Sequence, residues 1–87
     1  MPTVVATHDV TDVDHWLSSP KRDEFFGPLG VTNIRTFVNP ADRHHVSVSM
    51  DVPDMDAMMA ALQSEAGAAA MEHDGVLGDT LVIYIQE

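Results

Sequence analysis

Residues 7–16, THDVTDVDHW, bring together His8, His15, Asp9, Asp12, Asp14 and Trp16, the only tryptophan of the chain. Imidazoles beside carboxylates suit two chemistries, general acid/base catalysis and divalent-metal binding. The elements that carry these residues split the stretch at Thr11. His8 falls in the middle of TVVATHDV, residues 3–10, which is rich in β-branched residues and reads as a strand. There it shares a face with Val4, Ala6 and Val10. An imidazole in that setting is either a hydrogen-bonded core group or a cavity group whose pKa is tuned near working pH, and both readings stay open. Beyond Thr11 the polar residues have local explanations. Thr11 fits an N-cap with Asp14 as its capping-box partner, and Asp12 favours the helix dipole, so a helix is expected from about Asp12. His15 points away from the Val13, Trp16 and Leu17 face toward solvent. Trp16 is expected to pack, and an indole beneath a pocket would favour a flat aromatic ligand.

Four further groups are candidates. His44 and His45 are adjacent, so on a strand they point to opposite faces, unless both finish the turn NPADRHH in solvent. His45 lies on the side of Ser47, Ser49 and Asp51. If strand one runs antiparallel beside strand three, His8 sits near His45, Val46 or Ser47, and one residue of register decides its face. His8 and His45 are therefore a candidate acid/base pair, or a two-histidine metal site that lacks an obvious third ligand. Ser47, His8 and Asp51 assemble into a Ser-His-Asp set only on paper, because no spacing supports it. Tyr84, opposite the Leu81, Ile83 and Ile85 face, is a candidate hydrogen-bond donor. His73, near a helix C-terminus, is well placed as a cation for the dipole.

The surrounding pattern is regular. Helix one kinks or restarts at Ser19 and Pro20, buries Phe25, Phe26 and Leu29, and ends at GPLG. VTNIRTFV, residues 31–38, is a second strand and NPADRH a turn. HVSVSMDV, residues 45–52, alternates Val46, Val48, Met50 and Val52 against His45, Ser47, Ser49 and Asp51. A second helix follows, capped by Asp54, with Met55, Met58, Met59 and Leu62 on its apolar face. Ser64 restarts it and Gly75 closes it in the left-handed conformation. TLVIYIQE is the last strand. The order βαββαβ predicts a ferredoxin-like α+β fold over residues 1–87, with a four-stranded antiparallel sheet, both helices on one face and the other face bare.

Composition narrows the function classes. The 87 residues form one domain that buries only about 60–65% of the surface its unfolded chain exposes, so self-association would help. A formal charge of −10, with only four lysines and arginines, has the wrong sign for nucleic acid or anionic membrane. Cysteine is absent, so no disulfide or thiolate metal site is expected. No signal peptide or membrane span is evident, which makes a cytoplasmic location the expectation. Phosphate loops, dinucleotide fingerprints, nucleophile elbows and HExxH are all missing.

The strand VVATHDV, the step DVDHW, LGV into strand two, the alternating strand three and the helix end AAMEHDGV together resemble the dimeric α+β barrel superfamily. Its best-known members are antibiotic-biosynthesis monooxygenases and small polyketide cyclases. The resemblance implies a homodimer in which two sheets face each other, with a pocket between sheet and helices or inside the barrel. It also implies chemistry ranging from cofactor-free oxygenation and cyclisation to haem degradation. Of the haem-degrading set only His73 has a counterpart, and Trp16 stands on a helix where the oxygenases place their tryptophan elsewhere. The expectation is a cofactor-free acid/base enzyme of cyclase or monooxygenase type. Its substrate would be apolar, aromatic or polyketide-like. His8, His45 and Tyr84 are its catalytic candidates, and Trp16, Ser47, Ser49 and His73 its ligand-binding ones. The alternative is a non-catalytic ligand- or metal-binding dimeric module.

Overall fold

The computed structural model describes residues 2–87. Strand β1 (Thr3–Val10) leads into helices α1 (Val13–Ser18) and α2 (Lys21–Phe26) and a 3-10 turn (Gly27–Leu29). Strands β2 (Thr32–Asn39) and β3 (Asp42–Asp51) follow, then α3 (Met55–Leu62), α4 (Glu65–His73) and β4 (Val76–Ile85). The sheet order is β2-β3-β1-β4 with every neighbouring pair antiparallel, the ferredoxin-like α+β arrangement. Each of the two helical segments is broken in two, at Ser19–Pro20 and at Ser64, where polar caps interrupt the apolar period.

The core lies between the sheet and the helices. Val4, Ala6 and Val10 of β1 and Val46, Val48 and Met50 of β3 pack there with Trp16, Phe26 and Met58. Alternation along β1 and β3 follows from the period of two, which turns one side chain in two toward the helices. Burying Trp16 and Met58 alone removes several kcal/mol worth of apolar surface from water, at about 25 cal/mol per Å². On the opposite face Phe37, Val82 and Tyr84 are all exposed.

Several boundaries differ from the sequence expectation, each for a local reason. Asp12, not Thr11, caps α1, because its carboxylate accepts from the His15 amide at 3.2 Å while the Thr11 amide donates to Gly75 across the molecule. Leu17 is left exposed on the short helix. The NPADRH segment is mostly strand: only residues 40–41 separate β2 from β3, with Asn39 Oδ1 accepting from the Ala41 amide at 2.9 Å. Strand β4 begins at Val76 rather than Thr80, because Val76 and Leu77 pair with Val10 and Asp9 beyond a register shift. The Thr80 hydroxyl fills that gap, accepting from the Asp9 amide at 2.8 Å. Ile85, expected on the buried face, is half exposed at the strand end.

Two devices hold the sheet ends. Asn33 takes a left-handed φ of 56° where β2 shifts register, which lets its Nδ2 donate to Asp51 Oδ2 at 3.0 Å. Thr3 Oγ1 donates to the other oxygen at 2.8 Å, and these bonds hold the Asp51 carboxyl below its usual pKa. At the far end Gly75, with φ of 72°, closes α4 directly against the Thr11 hydroxyl. Gly75→Ala is therefore expected to destabilise the fold by more than the ~1–2 kcal/mol that a left-handed alanine costs, since the new Cβ meets Thr11 Oγ1. Urea unfolding would measure it.

Candidate functional site

A cavity lies between the helices and the sheet. Its apolar lining includes Val48 and Met50 from the sheet, Phe25 and Phe26 from α2, and Met58 and Met71 from the second helical segment. Its volume is about 80 Å³, several times the ~10–15 Å³ that one water needs. Four polar side chains line it: His8, Lys21, Arg22 and Asp74.

His8 is on the helix side of the sheet. It pairs with Val46 on β3 and is 5% exposed, and its Nδ1 is buried with no protein partner among the described residues. Its ring meets Trp16 edge-on, with centroids 5.5 Å apart at 80°. Burial holds its pKa below the ordinary value; the Asp9 backbone opposes the shift and the Arg22 charge adds to it. At neutral pH His8 is thus an uncharged base in an apolar wall. Arg22 lies over the same indole, with Cζ 4.5 Å from the ring centroid, and Nη2 donates to the Trp16 carbonyl at 2.8 Å. Burial lowers the Arg22 pKa and Asp74 and Asp23 oppose that, so it stays a cation.

Asp74 organises the helix ends. Its buried Oδ1 accepts from the Ser19 hydroxyl and, at 2.9 Å, from His73 Nδ1. His15 Nε2 donates to the His73 carbonyl at 2.7 Å. One ligand atom from each of His15, His73 and Asp74 lies within 4.8 Å of the others. These bonds clasp the α1–α2 junction to the end of α4.

The sequence candidates are distributed over three places. His8 and Trp16 share the cavity. His45, Ser47, Ser49 and Tyr84 lie on the opposite sheet face, so the candidate pairing of His8 with His45 does not form. The register decides this: His45 faces Asp9 across the ladder and donates from Nδ1 to its Oδ1 at 2.8 Å, whereas His8 faces Val46. His45 and Ser47 line a separate hollow with Thr7 and Phe37, and Tyr84 is 58% exposed. His44 is exposed, as the solvent reading had it, and lies in β3 with its Nδ1 donating to the Val10 carbonyl at 2.9 Å. His73 is not among the cavity residues, since Asp74 draws its ring to the helix end. Sequence reasoning missed Arg22, Lys21 and Asp74. Arg22 stands six residues from Trp16, a spacing that brings nothing together on one continuous helix.

His8 has a signature in stability. A folded-state pKa below the unfolded value of 6.5 means that the unfolded chain binds the proton first. Stability is then complete above about pH 6.5 and falls as pH drops toward the folded pKa, by at most ~1.4 kcal/mol per pH unit. His8→Leu removes that titration and the orphaned Nδ1, whose burial costs about 1–3 kcal/mol. The variant is expected to have a higher urea midpoint at pH 7 and a smaller loss between pH 7 and pH 5.

No family model matches the sequence, and no curated protein matches it. Solved structures do. A protein assigned as an antibiotic biosynthesis monooxygenase from Bordetella bronchiseptica superposes with a TM-score of 0.74 at 12% identity, over 99% of this chain and 94% of its own. One from Caulobacter crescentus gives 0.68 at 16% identity, over 98% and 86%. An ethyl tert-butyl ether d family protein from Bacillus halodurans gives 0.60 at 16% identity, over 100% and 97%. These likenesses show the fold: the chain shares its ferredoxin-like α+β architecture with structures assigned as antibiotic biosynthesis monooxygenases.

Proposed function

We propose that the chain is a small-molecule enzyme in which His8 is the general base, acting on an apolar, aromatic or polyketide-like substrate held against Trp16. The observation that carries this reading is a neutral imidazole, with a buried nitrogen that has no protein partner among the described residues, on a side chain that lines an apolar cavity. His8 takes a proton from an acidic C–H or O–H of the substrate. The organic anion so formed is stabilised by Arg22 in surroundings where charge interactions are stronger than in water. In the monooxygenase branch, which the similar structures favour, the anion reacts with O2. One oxygen atom ends as a substrate carbonyl and the other as water, with the electrons supplied by the substrate, so no cofactor is required. In the cyclase branch the anion attacks a carbonyl of its own chain. His45, Ser47, Ser49 and Tyr84 have no part at this cavity. They belong to the bare face, which in this proposal a second copy covers.

Anthrone is a suitable probe, because loss of its acidic C–H and reaction with O2 yields anthraquinone and water. In D2O under nitrogen the protein is expected to accelerate deuterium entry at that carbon, and in air to accelerate anthraquinone formation. His8→Asn should reduce both by about 10²–10⁴-fold, the range for a positioned base. Exchange equal to the buffer rate, or undiminished by His8→Asn, would overturn the reading. The dimer predicts a species of twice the 9.5 kDa chain mass in solution, converted to monomer by Val82→Asp on the exposed face. Light scattering reads it directly.

A second reading, a metal-binding module without catalysis, has the His15, His73 and Asp74 group in its favour. Stoichiometric zinc, nickel or copper in untagged protein, lost in His15→Ala and His73→Ala, would support it.

A further inference from the structure

The cation distribution carries a statement about the ligand. The chain has fourteen acidic residues against four lysines and arginines, a field that repels organic anions in general. Yet two of those four cations, Lys21 and Arg22, line the apolar cavity. They are not equivalent. Lys21, partly buried, has Glu24 at 3.6 Å, one helical turn away. Arg22 is half-buried, and among the described residues no carboxylate lies within 4.0 Å of it. Asp23 and Asp74 act on it only from farther away. Asp74 Oδ1 is already engaged by the Ser19 hydroxyl and the His73 ring. One guanidinium N–H is bonded to the Trp16 carbonyl, and stacking on the indole orients the planar fork at the cavity wall. A half-buried guanidinium without an ion-pair partner, at the edge of an apolar chamber, is a seat for a carboxylate whose hydrophobic body fills that chamber.

We propose that the cavity selects amphipathic organic anions, with an aromatic or otherwise apolar body against Trp16 and a carboxylate on Arg22. This deepens the acid/base reading, which it takes as its premise: the ligand's own charge fixes its orientation, so that its apolar part is presented to His8. Lys21 at the rim adds attraction at longer range.

The test compares 2-naphthoate with 2-naphthamide, which shares the ring system and carries no charge. Calorimetry gives the affinities, and the NMR signal of the single indole N–H, that of Trp16, reports occupancy of this cavity. Naphthoate is expected to bind at least tenfold tighter than naphthamide and to shift the indole signal. Arg22→Gln should abolish the preference while leaving naphthamide binding in place, Arg22→Lys should retain part of it, and His8→Asn should leave it unchanged. Raising the salt concentration should shrink the preference in the wild-type protein, a measurement that needs no variant. Equal affinity for the two ligands, a preference indifferent to both salt and Arg22→Gln, or an unshifted indole signal would each overturn the proposal. If the preference is missing while anthrone exchange remains dependent on His8, the ligand class is wrong and the acid/base reading stands. If the preference is present and exchange is not accelerated, the acid/base reading falls.

Discussion

The antiparallel register of β1 on β3 sets the face of every chemically interesting side chain in the sheet. His8 opposite Val46 and His45 opposite Asp9 put two imidazoles of neighbouring strands on opposite sides of the same sheet. A slip of β1 by one residue would put both on the bare face, carrying His8 out of the core and breaking the Val4, Ala6, Val10 row that packs under the helices. The apolar row therefore enforces the position of the polar residue within it. His8 is tolerated in that row because the helices do not close over it completely, and the cavity is the space they leave.

That space depends on two interruptions of helical order. A continuous helix from Val13 to Leu29 would carry Arg22 away from Trp16. The break at Ser19 and Pro20 folds α2 back so that the guanidinium covers the indole. The break at Ser64 does the same for the second segment, where Gly67 lets α4 start close against the last carbonyls of α3. The buried Asp74 then joins the two repaired segments through Ser19 and His73. A carboxylate buried between two donors and the helix ends is structural glue as much as a cavity wall, which explains why His73 serves the clasp rather than the chamber.

Stability and chemistry oppose each other at His8. An imidazole nitrogen without a partner weakens the folded state, and its depressed pKa makes the protein more sensitive to acid. Such a residue is useful where a neutral base is needed in a dry site, next to a cation able to hold the anion that base creates. The shared fold with monooxygenases and with an ethyl tert-butyl ether d family protein sets a scaffold on which several chemistries are built, and the side chains of the cavity distinguish among them.

Local periodicity was sufficient to determine that there are four strands and two broken helical segments in βαββαβ order, and local residue types set the caps of the second segment at Asp54 and Ser64, because alternation, 3.6-residue spacing and capping depend only on near neighbours. The same periodicity put Val4, Ala6, His8 and Val10 on one face and His45, Ser47 and Ser49 on one face. Which of those faces lay under the helices, and whether they were the same one, followed only from strand pairing at a separation of nearly forty residues. Arg22, Lys21 and Asp74 carried no signal in the chain, since they meet through two helix breaks and a contact between segments about fifty residues apart. A cavity is a property of what remains unfilled after packing, and that is decided by the tertiary structure alone.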